Sequence, residues 1–264
     1  MVTVVTGATG TTGRRVAALL EAEGVEVRRA SRSAPARFDW TDPATHDVVL
    51  DGAEALYLVA PMEEPDPASV VAPVLARALD RGLRRVVLLS SSLVEPSSWG
   101  LGGIATLVRE APEWTVLRPS WFAQNFTGDH PVAAGVRAGR VVSATGDGRV
   151  PFVDAGDIAA VAAAGLVGKA PGEQLITGPE ALSYAEACAV AAEVVGHPVV
   201  HGSVSPEAFV GHLVASGLPR PLAEVLADLD RRIARGAEDR VTDVVRRVTG
   251  REPRSLREVL TDGG

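Results

Sequence analysis

A single cysteine, Cys188, stands in this sequence, so no intrachain disulfide can form; its place in an apolar helical stretch over 185–195 suggests a small buried side chain. The five histidines show no metal-ligand spacing either with one another or with that cysteine, so no metal is expected. No apolar run approaches the length needed to span a bilayer; residues 159–167 are far too few. The apolar run that opens the chain at Val2 reads as a core strand rather than a secretion signal, and the expectation is a soluble, cytoplasmic protein with no membrane partner. Basic residues are outnumbered, with a formal net charge of -7, and a nucleic-acid surface is not supported. Aromatics are scarce as well: five Phe, four Trp and two Tyr in 264 residues.

Glycine, by contrast, is placed with a purpose at the amino end. The run Val2-Thr3-Val4-Val5 reads as a short buried strand, and it enters Thr6-Gly7-Ala8-Thr9-Gly10-Thr11-Thr12-Gly13-Arg14, which opens an amphipathic helix carrying Val16, Ala17, Leu19 and Leu20. Gly7 suits a tight strand-to-helix turn, Gly10 lets backbone approach a pyrophosphate, and Gly13 permits close packing of helix on strand. The amides and positive dipole end of that helix then face phosphates. The spacing Gly-x-x-Gly-x-x-Gly is weak by itself, and its value comes from the strand before it, the helix after it and a second strand over 25–30. At the end of that second strand stands Arg29-Ala30-Ser31-Arg32-Ser33 with no acid to hold ribose hydroxyls. Arg32 offers a planar fork for a 2′-phosphate, which favours NADP(H) over NAD; solvated strand-end arginines are the alternative.

Further along, apolar strands alternate with helical stretches: strands over 55–60, 86–89 and 115–117, with a helix over 68–79 despite Pro73. This is the pattern of an α/β, Rossmann-type doubly wound parallel sheet. Its glycine turn, Val59 to Met62, Ser90 to Ser92 and Pro119 to Asn125 would all gather beyond the carboxyl ends of strands. Residues 1–126 are expected to form this core. Residues 127–264 form a smaller, mostly helical substrate-binding part interleaved with it, with a short strand over 140–142, helices over 157–167, 206–216, 221–235 and 239–248, and a capping box at Ser183-x-x-Glu186.

The glycine turn, Ala30-Ser31-Arg32-Ser33, Phe38-Asp39-Trp40, Tyr57-Leu58-Val59-Ala60-Pro61 and the run from Trp114 to Phe126 together resemble the NmrA-like group of atypical short-chain dehydrogenases/reductases, and within it the ergot alkaloid biosynthesis (festuclavine dehydrogenase-like) branch. The segments Asp154-Ala155-Gly156-Asp157-Ile158-Ala159 and Thr177-Gly178-Pro179-Glu180 fit as well. The likeness covers most of the first 200 residues and is weaker over the C-terminal helices. It implies an NADP(H)-binding Rossmann fold. Gly7, Thr9, Gly10, Thr11, Thr12 and Gly13 would meet the pyrophosphate; Ser31 and Arg32 the adenosine phosphate; Asp39 and Trp40 the adenine; Val59, Ala60 and Pro61 the ribose; Ser90, Ser91 and Pro119 to Phe122 the nicotinamide. The family includes both reductases of small molecules and nucleotide-sensing regulators without turnover, and fold does not choose between them.

Catalysis is where the pattern departs from the typical enzyme of this class. A Tyr-x-x-x-Lys pair, in which lysine lowers the tyrosine pKa, is missing: the tyrosines are Tyr57 and Tyr184, the one lysine is Lys169, and neither type occurs between Ser92 and Trp114. Either the electrophile needs little protein acid, as with an iminium, quinone or conjugated enone, or another group assists. Ser91 and Ser92 are the candidates, with Asp154, His201 and His212 behind them. For the substrate pocket the expected residues are Trp99, Trp121, Gln124, Asn125 and Phe126, whose aromatic members would suit a flat apolar ligand; core packing is the equal alternative, and Leu101-Gly102-Gly103 is a candidate mobile lid. The expected function is NADPH-dependent hydride transfer to a small aromatic or polycyclic metabolite (quinone, enone, ketone or imine), in a monomer or homodimer. The alternative is an NADP(H)-binding redox sensor without turnover.

Overall fold

The computed structural model describes residues 1–95, 97 and 99–263. In chain order the strands are β1 (Val2–Thr6), β2 (Glu26–Ser31), β3 (Ala36–Arg37), β4 (Ala55–Val59), β5 (Arg85–Leu89), β6 (Glu113–Pro119), β7 (Arg140–Ser143), β8 (Arg149–Val150), β9 (Gly172–Ile176), β10 (Leu182–Ser183) and β11 (Val200–Ser203). The α-helices are α1 (Gly13–Ala22), α2 (His46–Leu50), α3 (Pro67–Asp80), α4 (Gly100–Val108), α5 (Pro131–Arg137), α6 (Ala155–Leu166), α7 (Tyr184–Val195), α8 (Pro206–Ala215), α9 (Arg220–Ala234), α10 (Val244–Thr249) and α11 (Leu256–Thr261). No helix among the described residues is long and apolar enough to cross a membrane.

The chain divides into two compact units. The first comprises residues 1–119, 155–176 and 244–251, and the second residues 120–154, 177–243 and 252–264.

In the first unit seven strands run in the order β3-β2-β1-β4-β5-β6-β9, every neighbouring pair parallel. Parallel strands are covered on both faces, which is why these read as near-continuous apolar runs. The register sorts their side chains by twos. Val4, Leu56 and Val86 stand level across three strands and Leu58, Leu88 and Val116 likewise; all six join one core with Val71, Val74 and Leu75 of α3 and Ile104 and Val108 of α4. On α6, a Cβ at Gly165 would come within 3.2 Å of both Thr115 and Val87, so the missing side chain is what seats this helix on the sheet. Helix α3 tolerates Pro73 and starts on Asp66, whose carboxylate accepts the Ala68 amide, with Pro67 in the first turn.

One buried latch joins β1, β4 and α1. Thr6 Oγ1 donates to the Tyr57 carbonyl at 2.9 Å and accepts the Val59 amide at 2.9 Å, while Tyr57 Oη donates to Thr12 Oγ1 at 3.0 Å. Burial pushes the Tyr57 phenol far above its ordinary range, so it serves as a neutral donor. Tyr57→Phe should therefore lower the unfolding free energy by about 1 kcal/mol, read as a shifted urea midpoint with unchanged slope.

The second unit is built on short pairings and helices. β7 and β11 pair in parallel, β8 and β10 antiparallel, and α8 packs on α9 around Phe209, Leu213, Ala223 and Ala227. The expected capping box is present at Ser183 and Glu186, and Ser255 with Glu258 forms a second. The helix expected over 239–248 is shorter, Val244–Thr249, because the Thr242 amide donates to Thr177 Oγ1 at 2.9 Å instead of entering a helical turn. The candidate lid also needs correction. Leu101, Gly102 and Gly103 lie in α4, and a Cβ at Gly102 would fall 2.3 Å from the Glu95 carbonyl oxygen, so they are packed helix rather than loop.

Candidate active site

The first unit's strand order reverses between β1 and β4, and in a doubly wound sheet that switch point leaves a crevice outside the carboxyl ends. The glycine turn follows one of these strands and Val59-Ala60-Pro61 the other. Gly7 has φ of 60°, the left-handed region that favours glycine, with Val59 against it: a Cβ would sit 3.2 Å from Val59 Cβ. Gly10 donates its amide to the Gly7 carbonyl at 2.9 Å, closing the turn. Gly13 begins α1 so close beneath that a Cβ there would fall 2.3 Å from the Gly7 carbonyl oxygen. The helix has no side-chain cap at Thr12 and no acid in its first turn. Its positive end is therefore left for an anion.

Ser31 and Arg32 close β2. Ser31 Oγ accepts the Ala34 amide at 2.9 Å, which fixes the turn, and the exposed Arg32 guanidinium forks onto Glu63 at 2.9 and 3.2 Å. Glu63 holds the arginine charge firmly, raising its pKa. Asp39 accepts from both the Thr41 amide and hydroxyl, which keeps its carboxyl below the usual range, and Trp40 donates its indole N–H to the Val59 carbonyl at 3.2 Å while meeting Phe38 edge-on. Ser90 and Ser92 donate their amides to the Leu117 and Pro119 carbonyls, both at 2.9 Å, extending the β5–β6 pairing. Of the two serines proposed for chemistry, Ser91 is half-exposed, whereas Ser92 is only 2% exposed and presents no surface at the strand end. Trp99, by contrast, is 68% exposed at the start of α4.

The second unit contains a cavity of about 730 Å³. Trp121 and Asn125 line it, as expected. Gln124 and Phe126 do not. Gln124 donates instead to Asp154 Oδ1 at 2.6 Å, and Phe126 is buried, edge-on to Phe152 and stacked on Tyr184. That leaves Asp154 engaged, since Arg254 reaches its other oxygen at 3.3 Å. His212 lines the cavity; His201 stands behind the wall, its Nε2 2.8 Å from Ser143 Oγ. Burial lowers the His201 pKa, favouring the neutral ring.

Sequence reasoning missed the most buried polar lining: Ser143, Tyr184 and Asp230, at 3, 6 and 5% exposure. Burial drives the Tyr184 phenol far up, and pushes the Asp230 carboxyl up to about 6. Asp230 Oδ2 accepts the Ala144 amide at 2.8 Å, a bond that opposes the rise without cancelling it. The sequence carried a faint signal for Asp230, an acid on the apolar stripe of α9 beside Ala223, Ala227 and Ile233. Apolar residues such as Phe209, Leu213 and Leu226 complete the walls.

A relative from Bacillus subtilis, called an uncharacterized oxidoreductase YesF, is 42% identical over 97% of this chain and 92% of its own length. The agroclavine dehydrogenase of Claviceps fusiformis is 32% identical over 99% and 97%, and the festuclavine dehydrogenase easG of Aspergillus fumigatus 34% over 97% and 95%. The chain belongs to the NmrA-like atypical short-chain dehydrogenase/reductase family, with the festuclavine dehydrogenase-like branch. No family model matches this NmrA-like chain. Among solved structures, the Citrobacter sp. triphenylmethane reductase complexed with NADP(H) shares the fold with a TM-score of 0.78 at 23% identity, over the full length of both chains. The quinone oxidoreductase QOR2 of Escherichia coli complexed with NADPH has a TM-score of 0.78 at 24% identity over 99% of each.

Proposed function

We propose that this NmrA-like protein is an NADPH-dependent reductase that transfers hydride to a small, flat, largely apolar metabolite bearing a carbonyl, a conjugated double bond or an imine. The observation that carries the reading is the uncapped, acid-free start of α1 behind a glycine turn at the switch point, with Arg32 at the end of β2. Membership of a family of oxidoreductases supports it, as do fold relatives whose structures contain NADP(H) or NADPH. Gly7 to Gly13 would hold the pyrophosphate through backbone amides, Arg32 with Ser31 the 2′-phosphate, and Asp39, Trp40 and Val59 to Pro61 the adenosine. When bound, NADPH supplies the hydride. The cavity of about 730 Å³, apolar with a few buried polar groups, suits a two- or three-ring substrate. Trp121, an expected substrate-pocket residue, lines it. Without Tyr-x-x-x-Lys, orientation carries much of the catalysis.

Loss of NADPH absorbance with a panel of quinones, enones and imines tests the proposal. Tight binding of NADP(H) with no consumption across the panel would favour the sensing alternative. Arg32→Ala should weaken NADPH binding by about 10- to 100-fold while leaving NADH within about 2-fold, since a bidentate charge-assisted contact to phosphate is lost. Glu63→Gln should do the reverse, because it frees the arginine fork that Glu63 now occupies. Isothermal calorimetry with both coenzymes reads each effect.

A further inference from the structure

We propose that Arg14 is a second determinant of coenzyme choice, its guanidinium sharing the 2′-phosphate of NADP(H) with Arg32. The inference rests on the coenzyme reading above and lies wholly within the first unit, in which both arginines stand.

Topology brings the two side by side. β1 and β2 are parallel, so α1, which connects them, runs back against both, and its first turn stands at the same end of the sheet as the last residues of β2. How the helix faces the strand is fixed further down, where Glu21 takes the Arg29 guanidinium in a fork of 2.8 and 2.7 Å. Arg14 lies two helical turns before Glu21, about 10 Å nearer the carboxyl end and on nearly the same stripe of α1. Arg32 follows the last residue of β2 and lies about 10 Å beyond Arg29 in the same direction. From one contact, then, helix and strand each carry an arginine a similar distance toward the glycine turn.

Arg14 is also the cation left without an occupation. Arg28 donates to the Val49 and Asp51 carbonyls, Arg29 is held by Glu21, Arg37 pairs with Asp42 at 3.6 Å, and Arg15 donates to the Thr11 carbonyl at 2.8 Å. The exposed Arg14 side chain makes no hydrogen bond or ion pair among the described residues. Its own helix does not neutralise it, since Ala17 and Ala18 stand three and four residues on and the first turn carries no acid.

Charge gives a second cation its use. A phosphate monoester bears about −1.5 to −2 charge at neutral pH, spread over three acceptor oxygens. Arg32 shares its charge with Glu63 and by itself brings little net positive charge, and Ser31 Oγ is committed to the Ala34 amide. An unpaired guanidinium on the facing helix supplies both charge and a second planar fork. NADH carries a hydroxyl at that position and gains nothing from it, so Arg14 discriminates between the coenzymes instead of holding both.

The test is isothermal calorimetry at low salt on Arg14→Gln, Arg14→Lys and the unchanged protein, with NADPH, NADH, adenosine 2′,5′-bisphosphate and adenosine 5′-monophosphate. Arg14→Gln is expected to weaken NADPH and the bisphosphate alike by about 5- to 30-fold and to leave NADH and the monophosphate within about 2-fold. Lysine, which keeps the charge and loses the fork, restores part of that loss, and in Arg14→Gln combined with Arg32→Ala the preference for NADPH over NADH disappears. Equal losses on NADPH and NADH would place Arg14 at the pyrophosphate and overturn the proposal, as would undiminished NADPH binding; both leave the coenzyme reading standing. A lowered urea midpoint in Arg14→Gln would make the residue a structural one and counts against the proposal, because an exposed, unbonded side chain holds nothing in place. Unchanged protein that takes up neither coenzyme, or both equally, overturns the NADPH reading and the proposal with it.

Discussion

Gly13→Ala is expected to lose NADPH binding by at least about 100-fold and to destabilise the fold by about 3 kcal/mol. The added Cβ would lie 2.3 Å from the carbonyl oxygen of Gly7, 2.8 Å from its carbonyl carbon and 3.1 Å from the Ala8 Cα. All three are backbone, so no side chain can swing aside, and relief must come from lifting α1 off β1 or opening the turn. Either motion pulls Thr12 from Tyr57 and misdirects the amides that would face the pyrophosphate. Gly10→Ala is the matched control: its Cβ would stand 3.2 Å from the Gly7 oxygen, a distance a shift of a few tenths of an ångström relieves. That variant should fold nearly normally and bind more weakly. Urea midpoints and calorimetry on the pair decide, and a Gly13→Ala protein with native stability and affinity would show that the turn is looser than its packing implies.

The same turn explains why so much of the first unit was legible in the sequence. A parallel strand buried on both faces must be apolar along its length, and a helix that meets a strand closely must begin with glycine, so Val2 to Gly13 announces its structure residue by residue. Ser183 and Glu186 were readable for a similar reason, since a capping box is a local arrangement with a fixed spacing. The cavity of the second unit is different. Ser143, Tyr184 and Asp230 are brought together from β7, α7 and α9, and nothing local in any one of them marks a shared wall. The aromatic run from Trp121 to Phe126 shows the limit plainly: Trp121 and Asn125 line the cavity while Phe126 turns to Phe152 and Tyr184. In the short 3-10 turn Ala123–Phe126 the side chains diverge over a few residues, and only the packing partners select which faces the cavity. The lid failed for a related reason, because Gly102 and Gly103 serve close packing of α4 instead of freedom.

Asp230→Asn should stabilise the protein at pH 8, by up to about 3 kcal/mol relative to the unchanged chain, and by far less at pH 4. The sign follows from the direction of the shift. The folded carboxyl is raised from the ordinary 3.8 to about 6, so folding favours the protonated form. Its favourable contribution is complete below the unfolded value and is lost as pH rises through the folded one; above about 7 the native state carries a buried charge that water would solvate in the unfolded chain. Histidines act in the opposite sense. Burial lowers His130 and His201, and stability from them is present above the unfolded histidine value and lost as pH falls through their lowered ones. Because both histidines remain in the variant, the difference between the two proteins isolates Asp230. Chemical denaturation at half-unit steps from pH 4 to 8.5 should give a difference curve that climbs between pH 4 and 6.5 and then levels. A flat curve would mean that the carboxyl is solvated in the native state.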